Sequence, residues 1–445
     1  MQLYSTKNID HQVDLKQAVF EGLSPDNGLY MPVSIPKLPA SFFEKLPQLS
    51  LSEIGFEVCR HLFAGTIPDK DIKTIVDSAI NFPAPVVQLD DQKGILELFH
   101  GPSLAFKDFG ARFMAQLMSY FNRGEEQDLT ILVATSGDTG GAVAAGFYKT
   151  PGIRVVILYP SGKVSPLQEK QLTTLGHNIT ALEVDGTFDD CQALVKQAFL
   201  DQDLRSKICI SSANSINISR LIPQSFYYFD AYRQVMEQEK DVVFCVPSGN
   251  FGNLTAGLLA YQMGLPVHHF IAATNSNDVV PVYLHDGEYS PKPSVRTISN
   301  AMDVGNPSNF ARMIDLFATA KGSGVPTDIN IWQGMKDKIS GYSFSDPETE
   351  SAVREIKSRY NYTIDPHGAV GYLALDAYQK EHPNTYGLIL ETAHPAKFRE
   401  DMERILATPI DIPERLLTLE KETKVATQMG TNYSEFSEWM YEHLD

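Results

Sequence analysis

Apolar residues gather into short runs along this chain instead of spreading evenly. Seven β-branched runs stand out, at 129–135 (LTILVAT), 153–160 (IRVVILYP), 178–185 (NITALEVD), 207–212 (KICISS), 241–247 (DVVFCVP), 268–274 (HHFIAAT) and 386–392 (YGLILET). Each is continuous rather than alternating, and helical stretches separate them. Strands buried on both faces read this way, which predicts parallel sheets covered by helices. Residues 1–80 differ: Pro- and Gly-punctuated text such as LSPDNGLYMPVSIPKLP reads as helices and loops, a small leading domain. No repeat of fixed period and no low-complexity segment interrupts the pattern. The expectation is an α/β architecture with more than one doubly wound unit.

Composition narrows the function classes. A chain of 445 residues has material for two or three domains. Its 37 basic against 55 acidic side chains leave a formal charge of −18, which argues against nucleic acid or an anionic membrane as partner. An anionic small substrate then needs a local basic or amide-rich pocket. Cys59, Cys191, Cys209 and Cys245 lie far apart without CxxC spacing. They argue against a disulfide framework or a zinc site, so no metal is expected and a reducing cytoplasm is the natural compartment. The N-terminal MQLYSTKNIDHQVDLKQ has no apolar h-region, and no apolar run approaches the roughly 18 residues that span a bilayer.

In parallel sheets, ligands bind beyond the carboxyl ends of the strands. Three strand ends here carry unusual residues. In DVVFCVPSGNFGNLTAGLLAYQMG (241–264) a strand stops at Pro247, residues Ser248, Gly249, Asn250, Phe251, Gly252 and Asn253 turn, and a helix follows. Converging amides and a helix start make an anion site suited to phosphate; a tight turn that binds nothing fits the residues equally well. In LTILVATSGDTGGAVAAGFYK (129–149) another strand enters a turn of Thr135, Ser136, Gly137, Asp138, Thr139 and Gly140. Hydroxyls and amides at a helix start suit a carboxylate, although Asp138 or Thr139 as a plain helix cap reads as well. The third is Thr392, at the end of YGLILET, which by itself carries little.

The stretch HGPSLAFKDFGARF (100–113) sets Lys107 between Phe106 and Asp108, with Phe109 and Phe113 close behind. A partly desolvated lysine loses proton affinity and becomes a nucleophile near neutral pH, whereas a stem packed on aromatic rings with its head in water is commonplace. A reactive lysine, a phosphate cradle and a carboxylate cradle on one scaffold together fit a cofactor holding an aldehyde and a phosphate. Pyridoxal phosphate meets that description.

HGPSLAFKDFGARF, ATSGDTG, PSGNFGNLTAG and ETAHPAKF resemble the corresponding segments of the threonine synthase family in its bacterial and fungal form. This is a fold-type II pyridoxal phosphate family, related to the tryptophan synthase β subunit. The likeness runs over nearly the whole chain, through YSTKN, NGLYMP, FPAPV, ILYPSGKVSPLQEKQL, SANSINISRL, FIAATNSND, SNAMDV and IDPHGAVGY. It implies two doubly wound α/β domains with a small, mainly helical N-terminal domain. Their bounds would be 1–80 for the N-terminal domain, 81–110 with 220–445 for the large cofactor-binding domain, and 111–219 for the small α/β domain that receives the substrate carboxylate.

Residue by residue, Lys107 matches the lysine that joins the cofactor aldehyde. Gly249, Asn250, Phe251, Gly252 and Asn253 match the loop around the cofactor phosphate, and Thr392 matches the hydroxyl facing the pyridine nitrogen. Ser136, Asp138 and Thr139 sit where related enzymes receive the substrate carboxylate. One departure is local: relatives often carry STR where this chain has Ser5, Thr6 and Lys7. The implied reaction converts O-phospho-L-homoserine and water to L-threonine and phosphate. Its substrate brings a second phosphate, for which Lys163, Asn217 and Arg220 are the candidates. His367 and Asp303 lie in family-like stretches and receive no catalytic role. The expected compartment is the cytoplasm, and the expected assembly is a monomer or weak homodimer. Alternatives are a sister dehydratase or β-replacement synthase, which would not need a second phosphate pocket, a non-catalytic cofactor-binding homologue, and a nucleotide-binding module, which lacks its GxGxxG.

Overall fold

The computed structural model describes residues 1–135 and 137–444. All seven apolar runs form strands, and they divide between two sheets. The larger has the order Ile339–Ser343, His269–Thr274, Asp241–Pro247, Thr385–Glu391, Lys93–Glu97, Val86–Gln88; every pair is parallel except the last. The smaller is wholly parallel, in the order Thr427–Met429, Ile179–Val184, Ile153–Pro160, Leu129–Ala134, Ile210–Ser212. Val243, Phe244, Leu388 and Ile389 are fully buried, as a sheet covered on both faces requires.

One continuous core joins the leading segment to both sheets. It runs from Leu3, Leu15 and Ile54 through Phe109, Phe113 and Leu117 of the helix Lys107–Phe121 to Ile131, Val155, Phe244 and Leu388. A second packs Val243 and Ile271 against Val353 and Val370 on the helices Asp346–Tyr360 and Pro366–Glu381. The helix Lys107–Phe121 therefore packs into the core that residues of both sheets share.

Two sequence expectations are amended. The leading segment holds its helices but also a three-stranded antiparallel sheet, Asn8–Asp14, Gln2–Ser5, Tyr30–Pro32. Its strand NIDHQVD is mostly exposed and so lacks the apolar run that marks a strand. Grouping all of 220–445 with the larger sheet fails at the end of the chain. The strand Thr427–Met429 pairs with Ile179–Val184 of the smaller sheet. Met429, Phe436 and Met440 bury themselves against Leu158 and Leu182 there. Among the described residues no helix is long and apolar enough to cross a membrane.

Candidate active site

Lys107 is the first residue of its helix. Parallel pairing of Lys93–Glu97 with Thr385–Glu391 brings the chain before it alongside the chain that carries Thr392. The Phe106 N–H donates to the Thr392 carbonyl at 2.9 Å, and the His394 N–H donates to the Leu104 carbonyl at 3.0 Å. Thr392, buried, is thus stitched to the residue preceding Lys107. Lys107 itself is half-buried and lines a cavity of about 920 Å³ together with Thr135, Gly137, Thr139, Ser215 and Ala301.

The neighbouring aromatic rings play a different part from the one AFKDF suggests. On a helix, positions two and six residues on lie about 200° and 240° round from the first. Phe109 accordingly turns into the core against Phe82 and Tyr227, with ring centroids 4.8 and 5.2 Å away, and Phe113 packs on Phe226 at 5.9 Å. These rings seat the helix; the cavity wall is what surrounds the amine. Asp108 is fully buried beside it and accepts the Ser103 N–H at 2.8 Å through Oδ2. Burial pushes its carboxyl up to about 6, against the lowering effect of the Ser103 hydrogen bonds.

The turn after Leu129–Ala134 is closed by Thr135, whose Oγ1 accepts the N–H groups of Gly137 at 3.1 Å and Gly140 at 3.0 Å. Gly137 has φ of 156°, and a Cβ there would lie 2.7 Å from Gln168 Nε2. The turn needs a glycine. Thr139 stands on the cavity wall in the first turn of the helix Asp138–Phe147. Ser136 and the side chain of Asp138 lie outside the described residues.

The second turn, after Asp241–Pro247, is tied from several directions. Ser248 Oγ donates to Asn253 Oδ1 at 2.8 Å, Asn253 Nδ2 donates to the Pro247 carbonyl at 2.8 Å, and the Tyr228 hydroxyl donates to the Asn253 carbonyl at 2.7 Å. The Asn253 side chain therefore staples strand end to helix start. Asn250 donates from Nδ2 to Ser215 Oγ at 3.1 Å and accepts the Ser308 N–H at 2.6 Å. Phe251 is left-handed, with φ of 59°, where a side chain costs roughly 1–2 kcal/mol. A Cβ on Gly249 would lie 2.7 Å from the Ala301 carbonyl oxygen and 2.8 Å from Met302 Cα. The loop meets the cavity through Ser215 and Ala301, both of which line it.

The three candidates for a second phosphate do not gather at this wall. Lys163 is exposed in the turn following Ile153–Pro160. Asn217 is buried, donating Nδ2 to the Val19 carbonyl at 2.8 Å while Oδ1 caps the helix Ile218–Leu221 through the Ser219 N–H at 3.0 Å. Arg220 is buried across from Gly110, with Nη1 donating to the Ala213 carbonyl at 2.9 Å. Burial lowers its guanidinium to about 10, the charge of Asp108 opposing that shift. The cavity is lined instead by Lys196 and Gln192 of the helix Phe188–Leu200 and by Glu21 of the leading segment. Sequence reasoning missed these, along with Ser215 and Ala301, because a solvent-facing Lys or a backbone group carries no local signature.

The residues present fit pyridoxal phosphate. A half-buried amine stands on a cavity wall, and a glycine turn too tight for any Cβ leads into the helix Gly252–Gln262, whose N-terminal amides suit a phosphate. Comparison with known proteins agrees. Residues 95–390 match the model of pyridoxal-phosphate dependent enzymes, residues 2–80 that of the threonine synthase N terminus, and residues 368–438 that of the threonine synthase C-terminal region. The chain is 48% identical to the threonine synthase of Escherichia coli K12 over 94% of both chains, and 46% identical to that of Haemophilus influenzae over 99% of both. The crystal structure of threonine synthase from Escherichia coli superposes over 100% of both chains with a TM-score of 0.87 and 45% identity. That of PLP-bound threonine synthase from Brucella melitensis covers 100% of this chain and 99% of its own with a TM-score of 0.95 and 33% identity. Maize serine racemase, at 15% identity and a TM-score of 0.52, shares the fold alone. This chain belongs to the threonine synthase family of pyridoxal-phosphate-dependent enzymes.

Proposed function

We propose that this protein is a threonine synthase that turns O-phospho-L-homoserine and water into L-threonine and phosphate. The observation that carries the reading is likeness to threonine synthases over the full chain, both terminal regions of the family included. A sister dehydratase would share the central matched region, but the leading segment that supplies Glu21 to the cavity is matched by the threonine synthase model.

Pyridoxal phosphate, when bound, supplies an electron sink for charge developing next to the substrate amine. The protein's residues do the rest. Lys107 Nζ would hold the cofactor and, once exchanged for the substrate amine, carry protons at the substrate carbons, a contribution of about 10² to 10⁴ in rate. Gly249, Asn250, Phe251, Gly252 and Asn253 would form the cofactor-phosphate turn, Asn253 by stapling it and the others by presenting backbone. Thr392 would place its hydroxyl at the ring nitrogen. Thr139, at the start of its helix, would orient the substrate carboxylate, and Ser136 and Asp138 belong to the same turn. Lys196 and Gln192, on the outer wall, are better placed for the substrate phosphate than Lys163, Asn217 or Arg220. Three clusters complete the proposal: the large, small and N-terminal domains, with the chain after Thr427 counted in the small one; a monomer or weak homodimer that binds neither nucleic acid nor membrane; and a cytoplasmic location.

The test is to supply the purified holoenzyme with O-phospho-L-homoserine and measure phosphate and threonine together. Stoichiometric release of both is expected. Keto-acid formation from threonine, with no phosphate released from O-phosphohomoserine, would replace this reading with a dehydratase. Borohydride reduction with peptide mapping should place the pyridoxyl group on Lys107.

A further inference from the structure

The Asn300–Ala301 edge of the cavity belongs to a single short turn, Asn300–Met302, which has no long element of its own to hold it. The Ala301 N–H donates to His367 Nε2 at 3.2 Å. On the other side of the same ring, His367 Nδ1 lies 2.7 Å from Asp365 Oδ1. A ring nitrogen that accepts an N–H must offer a lone pair, and one that faces a carboxylate oxygen must carry a hydrogen. Only the neutral ring protonated on Nδ1 satisfies both partners at once.

The arrangement is sealed. His367 is 2% exposed and Asp365 0%, so water cannot stand in for either bond. Asp365 also caps the helix Pro366–Glu381 through the His367 backbone N–H, and its own N–H donates to Glu391 Oε1 at 2.7 Å. Glu391, fully buried next to Thr392, has its carboxyl pushed well up by burial and by the charge of Asp365. On the far side of the turn, the Ala301 carbonyl is the atom that leaves no room for a Cβ on Gly249. Asp303, which follows the turn, is fixed separately by Thr297 Oγ1 at 2.7 Å and Asn275 Nδ2 at 2.9 Å. The turn is thus a spacer with His367 on one face and the Gly249 loop on the other.

We propose that His367 is a positioning residue whose Nδ1-protonated ring fixes the Asn300–Ala301 wall of the cavity and, through the Ala301 backbone, the seat of Gly249. The inference deepens the threonine synthase reading and rests on it for its activity measurement. His367 is not among the residues that line the cavity; it acts through Ala301.

Two conservative variants separate positioning from mere burial. His367→Gln reaches as far as Nε2 and can offer an oxygen to the Ala301 N–H, while losing the donor to Asp365. His367→Asn keeps a donor for Asp365 but cannot reach Ala301. Misplacing a site wall by about 1 Å costs on the order of 10²-fold, so His367→Asn is expected to lose about that much in kcat/KM and to release pyridoxal phosphate more readily. His367→Gln is expected to stay close to the unmodified enzyme in both. Asn performing as well as Gln, or better, would overturn the proposal. Neutron diffraction on the unmodified holoenzyme gives a second reading that needs no variant to fold: deuterium on Nδ1 and none on Nε2 is expected, and deuterium on Nε2 overturns it. Failure of the unmodified enzyme to release phosphate would sink the functional reading instead, and leaves the hydrogen position as a separate answer.

Discussion

The two strand-to-helix turns at the cavity share a plan and differ in how they are held. Each leaves a buried strand, passes a hydroxyl residue and a required glycine, and enters a helix rich in small residues. In the turn that begins at Thr135, among the described residues, the Thr135 hydroxyl closes on its own segment, the Gln168 side chain stands against Gly137, and Thr135, Gly137 and Thr139 line the cavity. The turn that begins at Ser248 is welded from outside, by Ser215, Tyr228, Ser308, Asn309 and the backbone of Ala301. A turn fixed from many directions is already ordered before it binds and loses little freedom in binding. It suits a group that stays. A turn open to the cavity suits one that arrives and leaves, and this is the physical ground for proposing cofactor phosphate at the Ser248 turn and substrate carboxylate at the Thr135 turn.

The comparison is broken most severely by removing the amine that both turns serve. Lys107→Ala should lower kcat by about 10³ or more, since proton transfer and the covalent hold on the cofactor go together; phosphate release reads the first and loss of the cofactor's visible absorbance the second. Gly249→Ala comes next. Its Cβ would meet backbone 2.7 Å away, which cannot swing aside, so the welded turn must shift. Cofactor dissociation should strengthen by about 10²-fold, with kcat recovering at saturating pyridoxal phosphate.

Asp108 tests the platform between the turns. Its folded carboxyl is raised from 3.8 to about 6, so between those values the folded chain keeps a proton that the unfolded chain has released. That stabilisation is present at the acid end and is lost as pH rises through about 6. Asp108→Asn stays neutral throughout. Unfolding free energies from urea titration should therefore shift in favour of the variant between pH 4 and 7, by about 1–3 kcal/mol; parallel pH curves would refute the burial argument. The smallest effect is expected at the open turn. Thr139→Ala should raise KM for O-phosphohomoserine by about tenfold, the worth of one hydrogen bond to a charged group, while cofactor affinity stays unchanged. A loss of cofactor affinity there would erase the distinction between the turns.

Much of the fold is legible in the sequence itself. Continuous β-branched runs such as DVVFCVP announce buried parallel strands because both faces must be apolar. Strands that broke the rule were missed: NIDHQVD is exposed, ISGYS carries a glycine and is half-exposed, and Thr427–Met429 is a short edge piece. At the site, Lys107 and the two glycine turns could be singled out as candidates because their residue types cluster locally in the sequence, and the fold places Lys107, Gly137 and Thr139 on one cavity. Lys163, Asn217 and Arg220 were chosen on residue type, and residue type does not report burial. Arg220 and Asn217 proved to be fastened inside the fold, and Lys163 stands outside it.

The amino-acid order alone determined which continuous apolar runs became buried strands and which turns and which lysine were candidates for chemistry, since each follows from side-chain shape and periodicity within a few residues. The packing of distant segments decided the rest. Pairing of Lys93–Glu97 with Thr385–Glu391 set Thr392 beside the Lys107 segment. The fold likewise brought Ser215, Lys196 and Glu21 to one cavity and gave the Ala301 backbone to His367. Backbone groups and ordinary polar side chains acquire a role only from what the fold presses against them.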